Sequence, residues 1–216
     1  MEQLAARRAH NPKVTGSSPV PATTRGSQVD CLFFFLLMSK TSVLVYCGSR
    51  TGNNEIFAQE AKRFGKLLAK NQFRLLFGGG KVGLMGIISN AALENGGEVI
   101  GVIPQHLVDR EVANPLCTDL RIVLNMQERK VMMEEMADII VTFPGGYGSM
   151  DELFESLTNV QLGLHQKPVW ILNSEGFYDH LLHQLDRMVE DGFLLKENRD
   201  KLHVATTVEE LIIGIK

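Results

Sequence analysis

From residue 41 onward the apolar positions follow two alternating rhythms. Short, almost continuous apolar runs lie at Thr41–Tyr46, Arg74–Phe77, Glu98–Ile103, Asp138–Phe143 and Val169–Asn173, with a shorter one at Arg121–Val123. Runs of that length, bounded by Gly, Pro or Asn, read as buried β-strands. Over Glu55–Asn71 the apolar residues instead fall at 57, 61, 64, 67 and 68, one face of an α-helix. Further helices are expected over Gly83–Asn95, stopped by Gly96-Gly97, and over Gln127–Met136, Ser149–Leu162, Tyr178–Glu190 and Val208–Ile215. Strands that are apolar throughout, rather than alternating, belong to a parallel sheet covered on both faces. With right-handed crossovers this is a doubly wound, mostly parallel, Rossmann-like α/β domain spanning residues 38–216. In such folds ligands bind outside the carboxyl ends of the strands.

Residues 1–37 break the rhythm. They carry Asn11, Pro12, Gly16, Pro19, Pro21 and Gly26 with neither period, and then an apolar run from Cys31 to Met38. That run is far short of the ~20 residues of a membrane-spanning helix. Arg7 and Arg8 resemble the charged start of a signal peptide, but prolines separate them from the apolar run and no small-residue cleavage site follows. His10 to Thr23 instead resembles the conceptual translation of the 3′ half of a bacterial tRNA gene. Residues 1–37 are therefore expected to be a non-native, disordered extension, with Met38 as the natural start.

The chain has 22 Lys+Arg against 25 Asp+Glu, a net charge of −3, which argues against broad nucleic-acid binding. Cys31, Cys47 and Cys117 have no CxxC spacing and cannot all pair, which suits a reducing cytoplasm. No membrane association is expected.

Three expected strand ends carry glycine clusters: Gly48-Ser49, Gly78-Gly79-Gly80 with Gly83, and Pro144-Gly145-Gly146-Tyr147-Gly148-Ser149. In a parallel sheet all three point to one edge. Gly78 to Gly83 matches G-x-G-x-x-G between a strand and a helix, a setting for phosphate on a helix N-terminus. The same glycines serve equally well as tight turns. The Gly-Lys-Ser/Thr ending of a P-loop is absent, and Glu98 begins the following strand rather than ending it, so a mononucleotide fits better than a dinucleotide. The third cluster runs on into Met150-Asp151-Glu152. Ser149-x-x-Glu152 has the spacing of a capping box, with Ser149 as N-cap. Asp151, Glu152 and Glu155 are nevertheless more carboxylates than a cap requires.

Arg129 and Lys130 fall near the start of a helix, where a basic residue opposes the helix dipole. They suit either a phosphate grip or a solvated face paired with Glu128 and Glu134. His106, His165, His180, His183 and His203 lack metal spacing, and no metal or cofactor is implied. Met132, Met133 and Met136 read as core, as does Cys47.

The residues Pro144 to Glu152 resemble the P-G-G-x-G-T-x-x-E motif of the LONELY GUY (LOG) family, cytokinin riboside 5′-monophosphate phosphoribohydrolases long described as possible lysine decarboxylases. Met126-x-x-Arg129-Lys130 resembles the companion motif, and the likeness continues through Gly78–Gly86, Ile103-Pro104 and Gln161–Pro168. Ser149 replaces the usual threonine and keeps the hydroxyl. The resemblance implies a cytoplasmic homodimer that cleaves the N-glycosidic bond of AMP or isopentenyl-AMP to free base and ribose 5-phosphate. It implies Arg129 and Glu152 as the catalytic pair. Glu111, Lys130, Gly146, Tyr147, Gly148, Ser149, Met150, Asp151 and Thr158 are matched to substrate contacts. Gly145, Ser49, Gly79 and Gly80 join them from the glycine loops. The rivals are a nucleotide sensor or carrier of the same fold, and a pyridoxal enzyme for which Lys81 and Lys130 are the loop-edge lysines.

Overall fold

The computed structural model describes residues 40–110 and 112–216. The expected extension at 1–37 lies outside them, as does Glu111. Seven strands form one all-parallel sheet: β1 (Ser42–Tyr46), β2 (Arg74–Phe77), β3 (Glu98–Pro104), β4 (Asp119–Val123), β5 (Ile139–Thr142), β6 (Val169–Leu172) and β7 (Leu202–Ala205). Their order is β4-β3-β2-β1-β5-β6-β7. The connecting helices are α1 (Glu55–Lys70), α2 (Gly83–Glu94), α3 (Gln105–Val108), α4 (Met126–Met136), α5 (Tyr147–Gln161), α6 (Asp179–Glu190), α7 (Lys196–Arg199) and α8 (Val208–Gly214).

Side chains of a strand alternate between faces, and β1 shows why its sequence is apolar throughout. Val43 and Val45 enter one core with Phe64 of α1, Ile88 of α2 and Leu211 of α8. Leu44 and Tyr46 enter the other with Met133 of α4, Leu153 of α5 and Leu185 of α6. Both faces are thus covered, as the continuous apolar runs require.

The chain builds outward from β1 to β4 and then returns through α4 to lay β5 on the free side of β1. That reversal is the switch point, where the loops after two neighbouring strands diverge and open a crevice. The loops after β1 and β5 are tied across it: Gly48 N–H donates to the Pro144 carbonyl at 3.1 Å.

Three short elements escape the sequence patterns. β7 pairs with β6, but His203 interrupts its apolar run and stacks on Trp170 at a centroid distance of 4.7 Å. The other two, α3 and α7, have four residues each, too few to show a period.

Candidate active site

A cavity of about 500 Å³ opens at the switch point. Tyr46 and Cys47 at the end of β1 contribute to its lining, Gly78 and Gly80 border it after β2, and Ser49, Arg50 and Tyr147 line its loops. Its apolar lining includes Val82, Met85, Ile103, Leu107 and Val112. Its polar lining includes Arg129, Glu152 and Ser149. A second cavity of about 580 Å³ shares Ser49, Arg50, Gly146 and Tyr147 and reaches Phe57 and Phe177.

Arg129 and Glu152 come from helices on the same face of the sheet. Asn125 caps α4 by accepting from Glu128 N–H at 2.9 Å. Glu128 in turn accepts from Leu124 N–H, so it is used in the cap. Glu134 is held by Asn159 and His165. Neither glutamate is the partner of Arg129. Instead its Nε donates to the Val102 carbonyl at 3.2 Å and its Nη1 lies 3.3 Å from Glu152 Oε1. The two side chains are only 11% and 9% exposed. One position along on each helix, Lys130 Nζ lies 3.1 Å from Asp151, and it also lies 2.6 Å from Glu155.

The capping box at Ser149 does not form. Helix α5 begins two residues earlier than expected, with Gly146 as its N-cap and no side-chain cap. Ser149 is then the third helical residue and Glu152 the sixth, a turn too far along to reach the cap. Its Oγ lies close under Gly145, where a β-carbon would stand 2.6 Å from Ser149 Cβ. The early start leaves the amides of Tyr147, Gly148 and Ser149 at the cleft with the positive end of the helix behind them, an anion-binding arrangement. Gly146, Tyr147 and Gly148 are all exposed.

Burial pushes the Glu152 carboxyl up from the ordinary 4.5 to about 7, with Arg129 and Lys130 pulling it down and Asp151 and Glu155 adding to the rise. Burial likewise raises the Cys47 thiol and the Tyr46 phenol. Cys47 is accordingly a packed thiol rather than a nucleophile. Lys130 moves the opposite way from a Schiff-base lysine: its hydrogen bond to Glu155 holds the ammonium above its ordinary range. Lys81 is exposed, and its backbone N–H, held by the Val112 carbonyl, fixes the loop.

The cleft therefore gathers Arg129, Glu152, Ser49, Gly80, Gly146, Tyr147, Gly148 and Ser149 from the sequence candidates. Gly145 belongs to the adjoining cavity. Lys130 and Asp151 are the sequence neighbours of Arg129 and Glu152 and pair with each other. Met150 packs into the core beside α4. Gly79 faces β3, where a β-carbon would stand 3.0 Å from Ile103 Cβ. Thr158 is exposed two turns beyond Glu152 and lines a separate groove with Phe154 and Leu185. The apolar lining of the cleft has no local sequence signal, because its residues come one or two at a time from β3 and the connections on either side of it. Among the described residues no group of His, Cys, Asp and Glu could hold a metal ion, and no helix is long and apolar enough to cross a membrane.

The fold and cleft define a doubly wound α/β protein with a glycine-lined cleft at its switch point. The chain belongs to the family described as possible lysine decarboxylase, which matches residues 85–215, and this is the LOG family to which its motifs point. It is 41% identical over 174 residues to cytokinin riboside 5′-monophosphate phosphoribohydrolase LOG of Oryza sativa subsp. japonica, covering 81% of this chain and 72% of that one. It is 37% identical over 199 residues to the cytokinin riboside 5′-monophosphate phosphoribohydrolase of Rhodococcoides fascians, covering 92% and 97%. Among solved structures, the molybdenum cofactor binding protein of Rippkaea orientalis superposes with a TM-score of 0.62 at 23% identity, covering 82% and 96%, a likeness of fold alone.

Proposed function

We propose that this protein hydrolyses the N-glycosidic bond of N6-modified adenosine 5′-monophosphate, giving the free base and ribose 5-phosphate. One observation carries the chemistry: a buried carboxylate and a buried guanidinium meet at 3.3 Å beside a glycine-rich helix N-terminus. Relatives named for this activity match most of the chain at 37% and 41% identity.

In this reading the 5′-phosphate rests on the first amides of α5. The ribose lies over Glu152 and Arg129, and the base lies against the apolar lining of the cleft. As the bond from C1′ to the base breaks, its electron pair leaves with the base and the sugar becomes cationic. Ionised Glu152 stabilises that cation and takes a proton from the attacking water, whose oxygen bonds to C1′. The departing base takes its proton from solvent. Arg129 keeps Glu152 ionised near neutral pH and fixes the ribose or phosphate. Fixed charges placed where charge develops are commonly the largest catalytic contribution.

We assign the active form to a cytoplasmic homodimer. Exposed apolar side chains crowd α4, α5 and their flanks, with Leu124 82% and Leu164 70% exposed. Thr158, matched to a substrate contact yet outside its own cleft, would serve a partner's site.

Chromatography of the free base after incubation with isopentenyl-AMP or AMP tests the reading. Base is expected preferentially from isopentenyl-AMP. Nucleotide binding with no base released from either overturns it in favour of a carrier or sensor.

A further inference from the structure

We propose that Gly78 is a positioning residue: the absence of a side chain there makes the seat in which the Arg129 guanidinium lies, and so sets how Arg129 meets Glu152. The inference rests on the hydrolytic reading for its kinetic consequence, but not for its structural one.

Gly78 directly follows β2 and borders the cleft. The three atoms nearest to a β-carbon built at this position all belong to the Arg129 head group. That carbon would stand on top of Nη2, 2.9 Å from Cζ and 3.3 Å from Nε. Real β-carbons do not approach that closely, so any side chain at 78 and the present guanidinium are mutually exclusive. The guanidinium has little freedom to yield in place. Its Nε is bonded to the Val102 carbonyl, its Nη1 faces Glu152, and Met126 Sδ lies 3.7 Å from the same nitrogen. A methyl group at 78 would have to push the head group off one of these partners.

The neighbouring glycines have other reasons to be glycine. Gly79 has φ +72° and Gly83 has φ +60°, conformations that L side chains resist. Gly78 is absent from the glycines with positive φ, so its backbone suits alanine. What forbids alanine at 78 is Arg129. The first glycine of the G-x-G-x-x-G pattern is therefore explained by a cation of the protein itself rather than by a phosphate.

The charged and titratable groups around Glu152 are Arg129 and Lys130 from α4, Asp151 and Glu155 from its own helix, and Tyr46 and Cys47 from the end of β1. Of these, Arg129 pulls the Glu152 carboxyl down most strongly. Displacing its head group is expected to move the Glu152 titration upward, while a loosened fold without that displacement would not.

The test is a double-variant cycle on the full chain with Gly78→Ala, Arg129→Lys and both together. Glu152 is titrated by NMR in protein labelled with ¹³C-carboxyl glutamate, with Glu152→Gln to assign the signal. Gly78→Ala is expected to raise the midpoint of Glu152. In the Arg129→Lys background, which lacks the forked head, the same change is expected to have no effect. Turnover of isopentenyl-AMP by Gly78→Ala should fall about a hundredfold at neutral pH, the scale of a misplaced catalytic group, with KM within about threefold. Its activity should recover at higher pH. An unmoved Glu152 midpoint, or an equal shift in both backgrounds, overturns the proposal. Should Gly78→Ala fail to fold, the double variant is expected to fold, and its failure also overturns the proposal. Because the titration needs no substrate, a protein that releases no base would sink the hydrolytic reading while leaving Gly78 to be judged separately.

Discussion

Of the three ion pairs that join α4 to α5, two are made by adjacent residues on each helix. Arg129 meets Glu152, and one position along, Lys130 meets Asp151. The charges are the same, but the depths differ. The Arg129 and Glu152 side chains are 11% and 9% exposed, whereas Asp151 is 65% exposed. In the first pair burial outweighs attraction and lifts the carboxyl towards neutrality. In the second, Glu155 joins Asp151 and the ammonium is simply held charged. Depth, rather than composition, separates a carboxylate poised for chemistry from one that fastens two helices together.

The comparison breaks hardest at Glu152. Glu152→Gln keeps the shape and removes the charge, so turnover should drop by about a thousandfold or more with nucleotide binding retained. Single-turnover kinetics and calorimetry check the two halves, and undiminished turnover would remove Glu152 from the mechanism.

A subtler effect follows from the same burial. The folded-state carboxyl titrates near 7, above the 4.5 expected of it when unfolded. The native state therefore holds this proton more tightly. Its contribution to stability is complete below about pH 4.5 and is lost as pH rises through 7, a loss of about 3 kcal/mol. Glu152→Gln has no such loss. Urea unfolding should find the variant gaining on the original protein between pH 5 and pH 8, and parallel pH dependences would contradict the burial effect.

Changes at the outer pair should be smaller. Lys130→Met leaves Asp151 and Glu155 unpartnered, and a stability loss of about 1 kcal/mol is expected from thermal melts. Asp151→Asn should change stability by less than about 0.5 kcal/mol, because solvent already screens the residue. If Asp151→Asn matched Glu152→Gln in its effect on turnover, depth would not be what separates the pairs.

The sheet was legible in the sequence because burial on both faces leaves a direct trace. Ser42–Tyr46 has no exposed position and reads as a continuous apolar run. β7 was not legible, since His203 lies on a half-open edge strand. The glycine loops pointed to the right edge of the sheet, and Arg129 and Glu152 were both found there by motif. Their pairing was not readable, since 23 positions separate them and nearer glutamates offer equally good local partners. The true start of α5 was hidden as well: glycine and serine both serve as N-caps, and the choice depends on how the loop is tied to Gly48.

That tie places the floor of the cleft at the end of a wholly buried strand. β1 lies at the centre of the sheet, bonded to β2 and β5 and wholly buried. Its amides will exchange with deuterium only when the whole fold opens. An occupied cleft would therefore leave no local mark on the strands beneath it. Protection on binding should be confined to the amides of residues 49–52 and 146–149, so the ligand's footprint would be drawn by the loops alone.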